Sequence, residues 1–263
     1  MNHDWNPGSY ARFSGERSRP FVDLLARVGE IDPETVVDLG CGDGSMTVAL
    51  AERWPQARVI GIEPSTQMLA AARERDPGGV EWREGTAQEW DAADDGPIDL
   101  LITNAVLQWV PGHENLLPSW AEALAPGGVL ALQVPGNMGA PSHALMREVA
   151  EAHPRAEELT PALDRARASL EPLDYVRLLH AAGLEVDAWE TTYLHLLPTG
   201  EEHPVLSWIR STGLRPVEQV LTEAEFADFT RDYEDRLREA YPEEDFGVAL
   251  PFRRIFVVAR RPA

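Results

Sequence analysis

Not one lysine occurs in the 263-residue chain; all 23 basic residues are arginine. Schiff-base chemistry, a phosphate-loop lysine and a lysine general base are thereby excluded together. Cysteine is nearly as scarce, Cys41 standing alone, which rules out an intrachain disulfide and a cysteine metal site. No set of His, Asp or Glu stands at metal-ligand spacing, so no metal is expected. Positive charge is short overall: 44 acidic residues leave a net charge of −21. That sign is wrong for a nucleic-acid partner, whose phosphates need a basic face. The longest apolar runs, Ile98–Leu101 and Thr103–Val110, contain polar residues and are too short to span a bilayer. Met1-Asn2-His3-Asp4-Trp5 has neither the basic start nor the apolar stretch of a signal peptide. A cytoplasmic protein with no nucleic-acid or membrane partner is the expectation, its oligomeric state left open.

What the chain does hold is a repeated strand–helix alternation. Strands are predicted at 35–39, Arg58–Ile62 (ending at Glu63), Val80–Glu84, Ile98–Thr103 and Val129–Val134. Helical patterns cover Pro20 to Val28, 45–54 and a stretch opened by Pro64 that carries Met68, Leu69 and Ala72; a helix or turn fills 105–123. Such alternation gives an α/β fold, a mostly parallel sheet with helices on both faces. After Pro135 the rhythm changes. Residues 141–170 read as charged helix, Pro172–Ala182 as an amphipathic helix closed by Gly183, and Leu184–Leu196 as a strand. Helices at 203–211 and 222–240 follow with no strand pattern across 198–246, and Arg254–Arg260 is a last apolar strand. The expected organisation is one domain over 1–263. Within it lie an N-terminal cap segment (1–30), a ligand-binding core (31–135) and a helical lid (198–250) inserted between the final two strands.

The chain is organised around Val36-Val37-Asp38-Leu39-Gly40-Cys41-Gly42-Asp43-Gly44-Ser45. An apolar strand meets three glycines at alternate positions, and a helix follows. Glycine suits this turn because it takes positive φ and lets a ligand approach bare backbone. The spacing is not the Gly-x-Gly-x-x-Gly of a dinucleotide site, and Asp38 and Asp43 would repel a pyrophosphate. They would suit a ligand carrying positive charge. Glu63, about 20 residues past the glycines at the end of the second strand, is placed to accept both hydroxyls of a ribose.

These motifs resemble those of the class I S-adenosylmethionine-dependent methyltransferases, from about Val36 to Val134. Val36–Gly44 is similar to their first motif, Gly61-Ile62-Glu63-Pro64-Ser65 to their acidic ribose motif, and Gly85-Thr86-Ala87-Gln88 to the stretch beside the adenine. Asp99–Val110 and Leu124-Ala125-Pro126-Gly127-Gly128 resemble the fourth-strand and fifth-strand motifs. The resemblance implies a seven-stranded Rossmann-like sheet with the last strand antiparallel, and S-adenosylmethionine as cofactor. It implies contacts to that cofactor from Asp38, Gly40, Gly42, Gly44 and Glu63, with Met68, Ala87, Gln88 and Asn104 beside them. Tyr10 would close over the methionine end and Arg19 would bind its carboxylate. Gln88 departs from the usual aspartate and offers an amide oxygen instead of an anion.

The fold does not name the methyl acceptor. Asn104 is not followed by the Pro-Pro-Tyr/Phe of enzymes that methylate amino groups of DNA bases or glutamine. Beyond the core, the segment from Asp4-Trp5-Asn6-Pro7-Gly8-Ser9-Tyr10 to Val28 resembles the bacterial trans-aconitate 2-methyltransferase family. So do Asn104–Trp109, Thr191-Thr192-Tyr193, Thr212-Gly213-Leu214-Arg215-Pro216, Ala240-Tyr241-Pro242 and Pro251–Ala259. That family esterifies a carboxylate of trans-aconitate, a tricarboxylate, and the chemistry suits the chain. A carboxylate is ionised at neutral pH and needs no general base. A tricarboxylate inside so acidic a protein does need a cationic pocket, for which the arginine fork is suited. Arg215 and Arg254 are the first candidates and Arg17 or Arg19 the next, with Tyr193, Tyr241 and Trp109 lining the acid. Trp208, His180 and His203 read better as core or surface residues. The alternatives are a methyltransferase for another carboxylate, such as malonyl-acyl carrier protein, and a cofactor-binding regulator without catalysis.

Overall fold

The computed structural model describes residues 18–165, 169–210 and 213–263. The first half alternates as the sequence predicts: α1 (Arg19–Val28), β1 (Thr35–Leu39), α2 (Ser45–Arg53), β2 (Arg58–Glu63), α3 (Thr66–Arg75), β3 (Val80–Glu84), β4 (Ile98–Asn104), α4 (Leu117–Ala123) and β5 (Leu124–Pro135). There follow α5 (Pro141–Ala152), α6 (Ala156–Arg165), α7 (Pro172–Ala181), β6 (Glu185–Leu197), α8 (Pro204–Arg210), α9 (Arg215–Glu218), α10 (Glu223–Ala240), β7 (Glu243–Glu244) and β8 (Gly247–Arg260). The sheet order is β3-β2-β1-β4-β5-β8-β6, with the two-residue β7 paired to β8.

Strands β1 to β5 pair in parallel. The late strand β8 is antiparallel to β5: Gly127 N donates to Arg261 O (3.0 Å) while Gly136 N donates to Arg253 O (2.9 Å), so one strand rises as the other falls. Val36, Val37 and Leu39 are buried in succession, as in a parallel strand covered on both faces. The order puts β1 between β2 and β4, where successive crossovers leave to opposite sides. That topology opens a crevice at the carboxyl ends of those strands, and Asp38, Glu63 and Asn104 stand there.

Three boundaries differ from expectation. Pro64 precedes α3 instead of opening it: Ser65 is the N-cap, its Oγ accepting from Met68 N at 3.3 Å, the arrangement that satisfies a first-turn amide. Pro126-Gly127-Gly128 lies inside β5 instead of before it, with Gly127 at φ 78° and a register shift against β4 between the Ile98 and Leu100 pairs. β8 begins at Gly247 instead of Arg254. A side chain on Gly247 would sit 2.3 Å from Leu197 O, so only glycine lets the strand start there.

The chain groups into two compact units: residues up to Val134 with Leu170–Glu190 and Ile255–Ala263, and Pro135–Ser169 with Thr191–Arg254. The first holds the apolar core of the parallel sheet, including Val37, Ile60, Leu101, Leu130 and Val257. The second is helical around its own core of Val205, Leu206, Phe229, Tyr233, Leu237 and Val248. Its long helix α10 opens with a capping box, Thr222 and Glu225 each bonding the other's backbone. Phe229, Tyr233 and Leu237 then recur every fourth residue, facing inward. Among the described residues no helix is long and apolar enough to cross a membrane.

Candidate active site

The Gly-rich turn hangs from the end of β2: Gly40 N and Cys41 N both donate to Ile62 O, at 2.8 and 3.0 Å. All three glycines have positive φ (83°, 57° and 72°), yet their surroundings differ. A side chain at Gly40 would lie 2.1 Å from a methyl of Val106, and one at Gly44 would lie 2.5 Å from the Trp82 ring and 2.7 Å from the Ala72 methyl. At Gly42 nothing lies within 4 Å. Bare backbone facing open space is therefore a property of Gly42 alone; Gly40 and Gly44 are small because protein packs on them.

Trp82, which motif reading missed, fills the hollow left by two glycines. Its ring would meet a Cβ on Gly61 at 2.6 Å as well as one on Gly44, and its indole N–H donates to Asp76 Oδ2 (3.0 Å). Asp76 is itself fixed by Gly78 N, Gly79 N and Val80 N. These four bonds to Asp76, one indole and three backbone, are invisible in the sequence apart from the Asp-x-Gly-Gly turn signal.

The three acids of the region have different fates. Asp38 is 3 % exposed and accepts from Thr47 Oγ1 at 2.6 Å. Burial pushes its carboxyl up to about 6, opposed by the Thr47 bond and reinforced by the charge of Glu63. Glu63 stands between two backbone donors, Gly42 N on Oε2 and Ser65 N on Oε1, both at 3.1 Å. Each oxygen keeps a second lone pair for a ligand hydroxyl. Asp43 is already paired, accepting from Arg75 Nη2 at 2.8 Å while Arg75 Nε donates to its backbone O at 3.3 Å. Asp43 is thus engaged in a half-exposed ion pair, whereas Asp38 is buried and forms no ion pair among the described residues.

At the end of β4, the Asn104 Oδ1 and Gln108 Oε1 oxygens are buried and have no partner among the described residues. Buried acceptors in want of donors, beside Asp38 and Glu63, fit a cofactor that carries an ammonium, a sulfonium and ribose hydroxyls. Of the remaining predicted residues here, Ala87 is buried, Gln88 exposed, Met68 47 % exposed and Trp109 51 % exposed. Arg19 is exposed at the start of α1. Tyr10 and Arg17 lie outside the described residues. Among the described residues no group of three or more His, Cys, Asp or Glu could hold a metal.

In the second unit the predicted residues separate. Arg254 on β8 is 7 % exposed, its guanidinium 4.4 Å from the ring centroid of Phe252. Phe252 meets His195 edge-on at 5.8 Å, and His195 stacks on Trp208 at 4.8 Å. Tyr193 is buried on the same face of β6 as His195. Arg215, by contrast, is exposed at the first residue of the four-residue α9. Tyr241 is buried, and its hydroxyl accepts from Ser142 N (3.0 Å) while Tyr233 donates to Ser142 O (2.7 Å). His203, buried, bonds Tyr241 O through Nε2 at 3.0 Å, so it is a core histidine. His180 is exposed.

The methyltransferase domain family matches residues 36–128. A trans-aconitate 2-methyltransferase of Streptomyces coelicolor is 48 % identical over 267 residues, covering 98 % of this chain and 87 % of that protein. One from Mycobacterium sp. strain KMS is 49 % identical over 258 residues, covering 97 % and 99 %. Among solved structures, a phosphoethanolamine N-methyltransferase of Haemonchus contortus in complex with S-adenosyl-L-methionine shares the fold. Its TM-score is 0.57 at 16 % identity, covering 97 % of this chain and 56 % of that one. The likeness to the curated relatives runs nearly end to end and includes the helical unit as well as the glycine turn, and on that ground the chain belongs to the trans-aconitate 2-methyltransferase family of S-adenosylmethionine-dependent methyltransferases.

Proposed function

We propose that this enzyme esterifies one carboxylate of trans-aconitate to its monomethyl ester in the cytoplasm, by direct in-line transfer without general base or metal. The observation that carries the acceptor is the near-full-length identity to relatives of that name; the buried Arg254 supports it from this chain's own residues. When bound, S-adenosylmethionine supplies a methyl group on a positively charged sulfur. A carboxylate oxygen of the acid forms the new C–O bond as the C–S bond breaks, and its electron pair stays on sulfur. No proton moves, because the attacking carboxylate is already ionised.

The residues then have three tasks. Glu63 accepts the ribose hydroxyls, and Gly42 lets the backbone approach. Asp38, with Asn104 near it in the crevice, provides negative charge and acceptors for the cationic end. Arg254 holds a carboxylate of the acid, assisted by Arg215, and Tyr193 supplies a ring contact. Anion and cation merge in the transition state, so alignment and exclusion of water are what the protein contributes.

A methyl-transfer assay across small di- and tricarboxylates and malonyl-acyl carrier protein tests the acceptor. Label recovered as a trans-aconitate monoester is the expected result. Turnover only with the carrier protein, or with none of the acids despite cofactor binding, would overturn it.

Asp38 also sets a pH dependence. A cationic ligand beside a carboxyl favours the ionised form, whereas Asp38 is protonated below about pH 6. Cofactor affinity is therefore expected to rise with pH up to about 6, by at most ~10-fold per unit, and to level off above it. Calorimetry in buffers of different ionisation enthalpy should show proton release at pH 5 that fades by about pH 7. An Asp38→Asn variant should lose the slope; a parent enzyme with constant affinity from pH 5 to 8 would remove this role.

A further inference from the structure

Ala105 is the only non-glycine with positive φ among the described residues, at 58°. L-residues avoid this left-handed conformation because Cβ crowds the backbone, and they hold it only where their surroundings require it. Here the restraints are explicit. Ala105 N donates to Gln133 O at 2.9 Å, and the Gln108 side-chain Nε2 donates to Ala105 O at 2.6 Å. Gln108 is 6 % exposed, so its amide bond is made away from water. Val106, the next residue, packs on Gly40 of the glycine turn. The residue before, Asn104, ends β4 with its Oδ1 buried and unpartnered among the described residues. A strained residue held from both sides thus connects the glycine turn to an acceptor that awaits a donor.

We propose that Gln108 is a positioning residue for the cofactor site: by gripping the Ala105 carbonyl it keeps the turn left-handed, and this holds Asn104 in place. The inference rests on the reading that Asn104 contributes to cofactor binding. Nothing about Gln108 touching the cofactor is required. Its amide has one defined orientation, because a carbonyl oxygen can only accept, so nitrogen must face Ala105 O.

Glycine adopts this conformation without strain, which gives a rescue experiment. S-adenosylhomocysteine binding to the full chain is measured by calorimetry, with melting temperature alongside. Gln108→Leu, which keeps the bulk and loses the amide, is expected to weaken binding about 10-fold. Adding Ala105→Gly to that variant should restore affinity to within about 3-fold of the parent, since the turn no longer needs the grip. Gln108→Met replaces the leucine variant if that one does not fold. A role confined to general packing would lower the melting temperature without glycine rescuing the affinity, and that outcome overturns the proposal, as does parent-like binding by the Gln108 variant. Asn104→Ala separates the two levels. If it binds as the parent does, the reading of Asn104 fails; if it weakens binding while Gln108→Leu does not, the positioning role alone fails.

Discussion

Replacing Glu63 with alanine is expected to weaken S-adenosylmethionine binding by about 100-fold or more. Both of its oxygens hold backbone amides, Gly42 N and Ser65 N. These charge-assisted bonds fix the glycine turn and the start of α3 relative to the strand that carries Glu63. A hydrogen bond to a charged group is worth about 1.5–3 kcal/mol, and loss of the carboxylate removes two such bonds within the protein together with those to the proposed ribose hydroxyls. Part of the intramolecular loss falls on stability instead of binding, which is why the estimate is nearer two orders of magnitude than four. Glu63→Gln should lie between parent and alanine variant, because its NH2 must face one of the amide donors. Calorimetric titration with the cofactor and with S-adenosylhomocysteine measures the effect. A dissociation constant within about 3-fold of the parent in a folded Glu63→Ala protein would take the ribose role away from this residue.

Arg254→Ala is expected to raise KM for trans-aconitate by about 10–150-fold, from the same 1.5–3 kcal/mol per charged hydrogen bond, while leaving KM for the cofactor near the parent value. The guanidinium is buried and lies against Phe252, so it is pre-oriented and little screened by water. Lysine should not restore it, since an ammonium presents neither the planar fork nor the stacking face. Arg215→Ala should have the smaller effect, because that side chain is exposed and an exposed ion pair is worth at most about 1 kcal/mol. Steady-state kinetics with each substrate varied in turn, and thermal melting as a control for folding, decide the matter. An unchanged KM for the acid in a folded Arg254→Ala enzyme would move the carboxylate site elsewhere.

The alternation of apolar strands and amphipathic helices, the glycine turn and the acid at the end of β2 could be read directly, because they are written in residues close together in the chain. A run such as Thr35-Val36-Val37 bounded by glycine has few alternatives to a buried strand, and β1 and β3 fall where they were expected. The strand that begins at Gly247 was hidden because its first residues, Val248 to Leu250, are a short apolar stretch after an acidic segment, and they are buried in a core with Leu197 and Val205, over 40 residues away. What the side chains do was least legible. Asp38 and Asp43 look equivalent in the sequence, but Arg75, 32 positions downstream, pairs with one and the folded sheet buries the other. The bond that the Tyr241 hydroxyl accepts comes from Ser142, 99 residues away, and no local pattern announces it. Three glycines of one motif proved to be small for different reasons, one for open space and two for the packing of Trp82, Ala72 and Val106. Sequence alone determined the strand–helix alternation of the first half and the acidic residues around the glycine turn, since strand propensity, turn chemistry and formal charge are local properties. Which carboxylate is buried out of reach of an ion pair, which glycine faces open space and which residue carries strain were decided only by tertiary structure, because pairing, burial and close packing are set by groups that meet only once the chain has folded.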